Sequence, residues 1–190
     1  MDKFLIVGLG NIGAEYEHTR HNIGFDILDY FVSKHKGEFL SDRLAYKAEV
    51  KIKGKLIICI KPTTYMNLSG KAVKYWMDKE KIDPARLLIL VDEIAVPLDK
   101  IKIKPAGSDG GHNGLKSIQE LLATVQYPRL RFGVGNDFPR GMQVEYVLGK
   151  WAKKELPVVE KKIEASADAI EQFALTDLEK TMAALNHLIF

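Results

Sequence analysis

Five side chains able to bind or activate a polar substrate stand where apolar runs give way to polar or glycine-rich turns. They are Asn11 in LIVGLGN, His21 in HTRHN, Asn67 in TTYMNLSG, Asp92 in LVDE and Asn113 in GGHNG. An imidazole that titrates near neutrality can take a proton from water, and a carboxylate beside it fixes its tautomer and stabilises the imidazolium. Amide side chains both donate and accept, so they suit a carbonyl, its developing oxyanion and a peptide backbone. No serine lies in a nucleophile elbow, and Cys59 is inside the apolar run LIICI. Where such a histidine and carboxylate meet in space they supply the usual parts of hydrolysis, with activated water the more economical nucleophile. Each residue also has a plainer role open to it. An Asn in a turn can serve backbone conformation, a strand-end Asp can cap, and His112 can bond the loop backbone.

Gly8, Gly10 and Gly13 spell G-x-G-x-x-G after a strand-like run, the pattern of a dinucleotide-binding turn. Such a turn needs its helix to begin within the motif, so that a pyrophosphate meets the helix N-terminus. Here AEYEHTRHN follows Gly13 with little apolar periodicity, and helical spacing begins only at Ile23. A second parallel strand ending in an acidic residue is also missing. The glycines instead predict a tight turn that delivers Asn11 to the carboxyl end of a strand, and no cofactor is expected.

The elements that must position these residues alternate along the chain. KFLIVGL reads as a buried strand, Ile23 to Val32 as a helix, and AYKAEVKIKGKLIICIKP as a hairpin whose second arm is the more buried. A helix capped by Ser69 follows, then the strand RLLILV, the alternating KIKIKP, the loop GSDGGHNG, the helix LKSIQELLATV and the strand RLRFGVG. The remainder is helical, with TDLE at 176–179 as a capping box for the last helix. This predicts a single α/β domain over residues 1–190, a mixed twisted sheet flanked by helices.

At 190 residues, 46% hydrophobic and 28% charged, the chain can bury a full core. A single cysteine, Cys59, implies neither disulfide nor zinc site. No apolar run is long enough for a membrane span, and Met1-Asp2-Lys3 leads directly into FLIVG without the layout of a signal peptide. A cytoplasmic location is expected. The net charge of +3 permits an anionic partner without demanding one.

Taken in order, LIVGLGN, GAEYEHTRHNIGF, KPTTYMNLSG, LVDE, GGHNGLKSI and RLRFGVG resemble the bacterial peptidyl-tRNA hydrolase family, from about Phe4 to Lys150. The resemblance implies a monomeric, metal-free cytoplasmic esterase that cleaves the bond between a peptide and the 3′-terminal ribose of tRNA. It further implies that His21 is the catalytic histidine and Asp92 its partner, and that Asn11, Asn67 and Asn113 bind substrate and position water. Tyr16 and Met66 match pocket walls, and Lys104 and Arg131 match a clamp for the tRNA 5′-phosphate. Ile12 stands where the family commonly has proline, which leaves that turn less rigidly pre-set. Glu93 is assigned no catalytic role.

Two other classes compete. A non-catalytic RNA-binding protein would keep the basic residues but have no reason to keep His21 and Asp92. A nucleotide-cofactor oxidoreductase is disfavoured by the late helix start after Gly13.

Overall fold

The computed structural model describes all 190 residues. One seven-stranded sheet runs in the order β2-β3-β4-β1-β5-β7-β6. The strands are β1 (Asp2–Gly8), β2 (Leu40–Asp42), β3 (Ala45–Ile52), β4 (Lys55–Pro62), β5 (Leu87–Glu93), β6 (Ile101–Lys104) and β7 (Arg129–Gly133). The central strands β4, β1, β5 and β7 are mutually parallel, whereas β3 and β6 run against their neighbours, so the sheet is mixed. Helices α1 (Ile23–Lys34), α5 (Leu156–Leu175) and α6 (Leu178–Leu185) cover one face; α2 (Ser69–Glu80) and α3 (Asn113–Leu122) cover the other.

Strand alternation divides the core between the faces. Phe4 and Ile6 of β1 pack with Ile27 and Phe31 of α1 and Ile170 and Phe173 of α5. Leu5 and Val7 pack with Val73 and Trp76 of α2 and Ile118 of α3. Both faces of β1 are therefore apolar, which explains its unbroken hydrophobic run.

The glycine pattern near the N-terminus has a packing cause. A Cβ on Gly8 would stand 2.2 Å from the Gly24 carbonyl oxygen, so α1 crosses the end of β1 with only backbone between them. Between them the chain makes two short 3-10 turns, Ala14–Tyr16 and Arg20–Asn22, and α1 begins at Ile23 as its periodicity predicts.

Two capping expectations are corrected. Ser69 is the first residue of α2 rather than its cap, and its hydroxyl donates back to the Met66 carbonyl. At the last helix the cap is Asp177, whose carboxylate accepts from Lys180 N; the Thr176 hydroxyl donates to Gln172 O at the end of α5. Strand β2 and the five-residue helix α4 (Gln143–Val147) are too short to show in the sequence pattern.

Adjacent strands β1 and β5 hand the chain to opposite sides of the sheet, toward β4 and toward β7 respectively. The crevice at the carboxyl ends of such a pair is where open α/β sheets place their sites. Asn11 follows β1, and Asp92 lies at the end of β5.

Candidate active site

Period-two alternation puts Asp92 on the same face as Leu88 and Leu90, the face packed under α1. His21 sits in the 3-10 turn that feeds α1, and its Nδ1 lies 3.0 Å from both carboxylate oxygens of Asp92. A carboxylate only accepts, so Nδ1 carries the proton and the lone pair is at Nε2, which has no protein partner.

A second histidine meets the same carboxylate. His112 caps α3, its Nδ1 accepting from the backbone amides of Gly114 at 3.1 Å and Leu115 at 3.4 Å. Its Nε2 therefore bears the proton, and donates to Asp92 Oδ1 at 2.9 Å. Burial opposes ionisation of Asp92, but the two imidazoles outweigh it and hold the carboxyl well below the usual carboxylate range. At His21 burial pulls the pKa down, while the charge of Asp92 and its hydrogen bond push it up, with a net rise above the ordinary histidine value.

The asparagines are oriented by backbone groups. Asn11 Oδ1 accepts from Met66 N at 2.9 Å, which leaves the Asn11 amide nitrogen without a protein partner. Asn22 brackets the same residue, accepting from Asn11 N and donating to Asn11 O, both at 2.8 Å. Asn67 is exposed in the middle of the 3-10 turn Met66–Leu68 before α2, and Asn113 is exposed as the first residue of α3. With His21, Asp92, His112 and Met66, Asn11, Asn67 and Asn113 line a cleft of about 560 Å³. Its opposite wall is apolar, formed by Ile94, Val144, Val147 and Leu148.

The family model described as peptidyl-tRNA hydrolase matches residues 5–189. This chain belongs to the peptidyl-tRNA hydrolase family. A peptidyl-tRNA hydrolase of Parabacteroides distasonis is 48% identical over 185 residues, covering 97% of this chain and 99% of the relative. One from Clostridium perfringens is 38% identical over 183 residues, covering 96% of each. The crystal structure of peptidyl-tRNA hydrolase from Acinetobacter baumannii is similar with a TM-score of 0.93 at 30% identity, across 98% of this chain and 95% of that one.

Six of the residues singled out in the sequence, Asn11, His21, Met66, Asn67, Asp92 and Asn113, come together in this peptidyl-tRNA hydrolase cleft. Tyr16 does not line it; its carbonyl accepts from the Thr19 hydroxyl within the same loop. Lys104 and Arg131 also lie outside the cleft. Lys104 is exposed at the end of β6, whereas the Arg131 guanidinium is buried, donating to Glu93 Oε1 at 2.7 Å and to Ser108 O at 3.0 Å. In register, Lys104 faces Arg129 and Lys102 faces Arg131, so all four start from one face of the β6-β7 pair.

Sequence reasoning missed His112 and Asn22 as parts of the site. For His112 the signal was its place just before a helical run, a capping position from which a ring can reach back; the expectation of one His and one Asp therefore undercounts the imidazoles. Ligand atoms of His21, Asp92 and His112 lie within 4.8 Å of one another, the makings of a two-histidine, one-carboxylate metal set. The cap argues against that use. Metal ligation through His112 Nε2 would move its proton to Nδ1, against two backbone N–H groups that need an acceptor there.

Proposed function

We propose that this chain hydrolyses the ester between the peptide and the 3′-terminal ribose of peptidyl-tRNA, freeing tRNA and peptide, with water as the nucleophile. The observation that carries the mechanism is the His21 imidazole, held through Nδ1 by Asp92 with Nε2 unpartnered in an amide-lined cleft. His21 Nε2 takes a proton from water as the water oxygen attacks the ester carbonyl carbon. Asn11 and the exposed asparagines Asn67 and Asn113 supply N–H donors for the developing oxyanion and grip the peptide backbone. Collapse breaks the carbon–oxygen bond to the ribose, and the departing oxygen takes the proton back from the imidazolium, whose charge Asp92 stabilises. No metal is required by this sequence of steps, and no cofactor.

Lys104 and Arg131 are read as the receptor for the tRNA 5′-phosphate, an ammonium and a guanidinium suited to a dense anion. Their common face on the β6-β7 pair supports this; the Glu93 partner of Arg131 means that the anion must compete for that guanidinium. No helix of the protein is long and apolar enough to cross a membrane. In this proposal the protein acts as a monomer in the cytoplasm, where peptidyl-tRNA arises.

The test is incubation with N-blocked aminoacyl-tRNA and with unblocked aminoacyl-tRNA, following tRNA release. Release from the blocked substrate by the wild type and not by His21→Ala is expected. A wild-type protein that leaves the blocked ester intact overturns the reading.

A further inference from the structure

The apolar wall of the cleft is an unusual piece of structure. Helix α4 has five residues, none of them buried, yet Gln143, Val144, Val147 and the following Leu148 all face the cleft. So short a helix has little stability of its own, and Tyr146 is its one side chain packed against the core, so its placement depends largely on polar ties.

Those ties converge on Arg20, the residue next to His21. Arg20 Nη1 donates to the Tyr146 carbonyl at 3.0 Å, in the last turn of α4, where a cation also complements the helix dipole. Nη2 donates to Glu155 Oε1 at 3.1 Å, and the same carboxylate accepts from Ala152 N. The guanidinium carbon stands 4.1 Å from the centre of the Tyr146 ring. The Arg20 backbone joins in, its N–H donating to Gly149 O at 3.0 Å, while Thr19 and Lys150 form an isolated antiparallel bridge. Tyr146 in turn donates from its hydroxyl to Val134 O, the residue just past β7.

We propose that Arg20 is a positioning residue that ties the α4 wall to the turn carrying His21, and so sets the width of the cleft that receives the peptide part of the substrate. This rests on the ester-hydrolase reading. Arg20 touches neither Asp92 nor the His21 ring; its side chain reaches away from the catalytic pair toward α4 and Glu155. The apolar character of that wall fits a substrate side chain rather than a phosphate. A fork with two simultaneous bonds and a stacked face is a role that lysine fills only in part.

The experiment compares N-blocked phenylalanyl-tRNA with N-blocked glycyl-tRNA. For Arg20→Gln, KM for the bulky substrate is expected to rise about fivefold to tenfold, with kcat within about twofold of wild type, because ground-state and transition-state binding are lost together. KM for the glycyl substrate should change by less than about twofold, and the pH at which kcat/KM falls in acid should stay in place. Arg20→Lys should recover part of the KM loss. Glu155→Gln, which leaves Arg20 in place but weakens one arm of the fork, should show the same pattern more weakly and serves as the deciding variant if Arg20→Gln does not fold. The proposal is overturned if kcat falls with KM unchanged, if the acid limb shifts, if both substrates suffer equally, or if kinetics are those of the wild type. An inactive wild type would instead defeat the ester-hydrolase reading itself.

Discussion

His112 Nε2 donates to Asp92 Oδ1 across 2.9 Å while two backbone amides of α3 occupy its Nδ1. The helix end thus fixes the tautomer of one histidine, and that histidine helps hold the carboxylate which orients the other. Asp92 consequently stays ionised, and the His21 proton stays on Nδ1.

Removing the base is the direct check. His21→Ala should lower kcat by ~10²–10⁴, the usual scale for a lost acid–base group, with an unchanged circular dichroism spectrum. Wild-type turnover in this folded variant would remove His21 from the mechanism.

The raised pKa of His21 gives the pH dependence its sign. The base works only unprotonated, so activity must fall as pH drops through the His21 pKa, and the acid limb of kcat/KM should lie above the ordinary histidine value of 6.5. Asp92→Asn removes the charge that raises this pKa and leaves the burial that lowers it. Its acid limb should move to lower pH while the plateau falls; a limb that stays where it was would separate Asp92 from the titration.

The phosphate receptor makes an asymmetric prediction. Lys104 is exposed with no acidic partner, so Lys104→Ala should raise KM for full-length peptidyl-tRNA, leave a minimal substrate lacking the 5′-phosphate unaffected, and reduce the log–log salt slope by about one unit or less. Arg131→Ala strips a largely buried Glu93 of its counter-charge and should also lower stability, by about 3–5 kcal/mol if the carboxylate stays unpaired. Denaturant unfolding beside kinetics distinguishes the two. A Lys104→Ala variant that loses activity equally on both substrates would count against the receptor.

Lys162 provides a stability prediction remote from the cleft. Fully buried on α5, its amine donates to the carbonyls of Leu98 and Gly133, and burial pushes its pKa down to about 7 against the attraction of Asp99. Between that value and the ordinary 10.5 the unfolded chain binds a proton that the folded one does not. Stability relative to Lys162→Met should therefore climb as pH rises from about 7 to 9, measured by urea unfolding. A difference that is flat over this range would show that the amine keeps its proton in the fold.

The sequence by itself determined most of the elements and the residue types available for chemistry. The apolar runs of β1, β4 and β5 and the 3.6-residue spacing of α1 and α2 are local properties, set by strand alternation and helix periodicity within a few residues. The candidate site residues were legible as residue types, Asn11 and Asp92 at strand ends and His21, Asn67 and Asn113 in turns or at a helix start, and the order of the motifs carried their family. Pairings over long sequence separations belonged to the tertiary structure. His21 and Asp92 are 71 residues apart, His112 and Asp92 20, Arg131 and Glu93 38, and Arg20 and Tyr146 126. No periodicity encodes them, because each depends on where separate strands and helices bring their ends. Only the assembled sheet puts the ends of β1 and β5 side by side, turns the α3 N-terminus toward the same carboxylate, buries Arg131 against Glu93 and leaves Tyr16 outside the cleft. The physical reason is that burial and hydrogen-bond satisfaction are settled by the whole packed chain: a histidine with two backbone amides at Nδ1 must donate from Nε2, and the fold alone decides what stands there to accept.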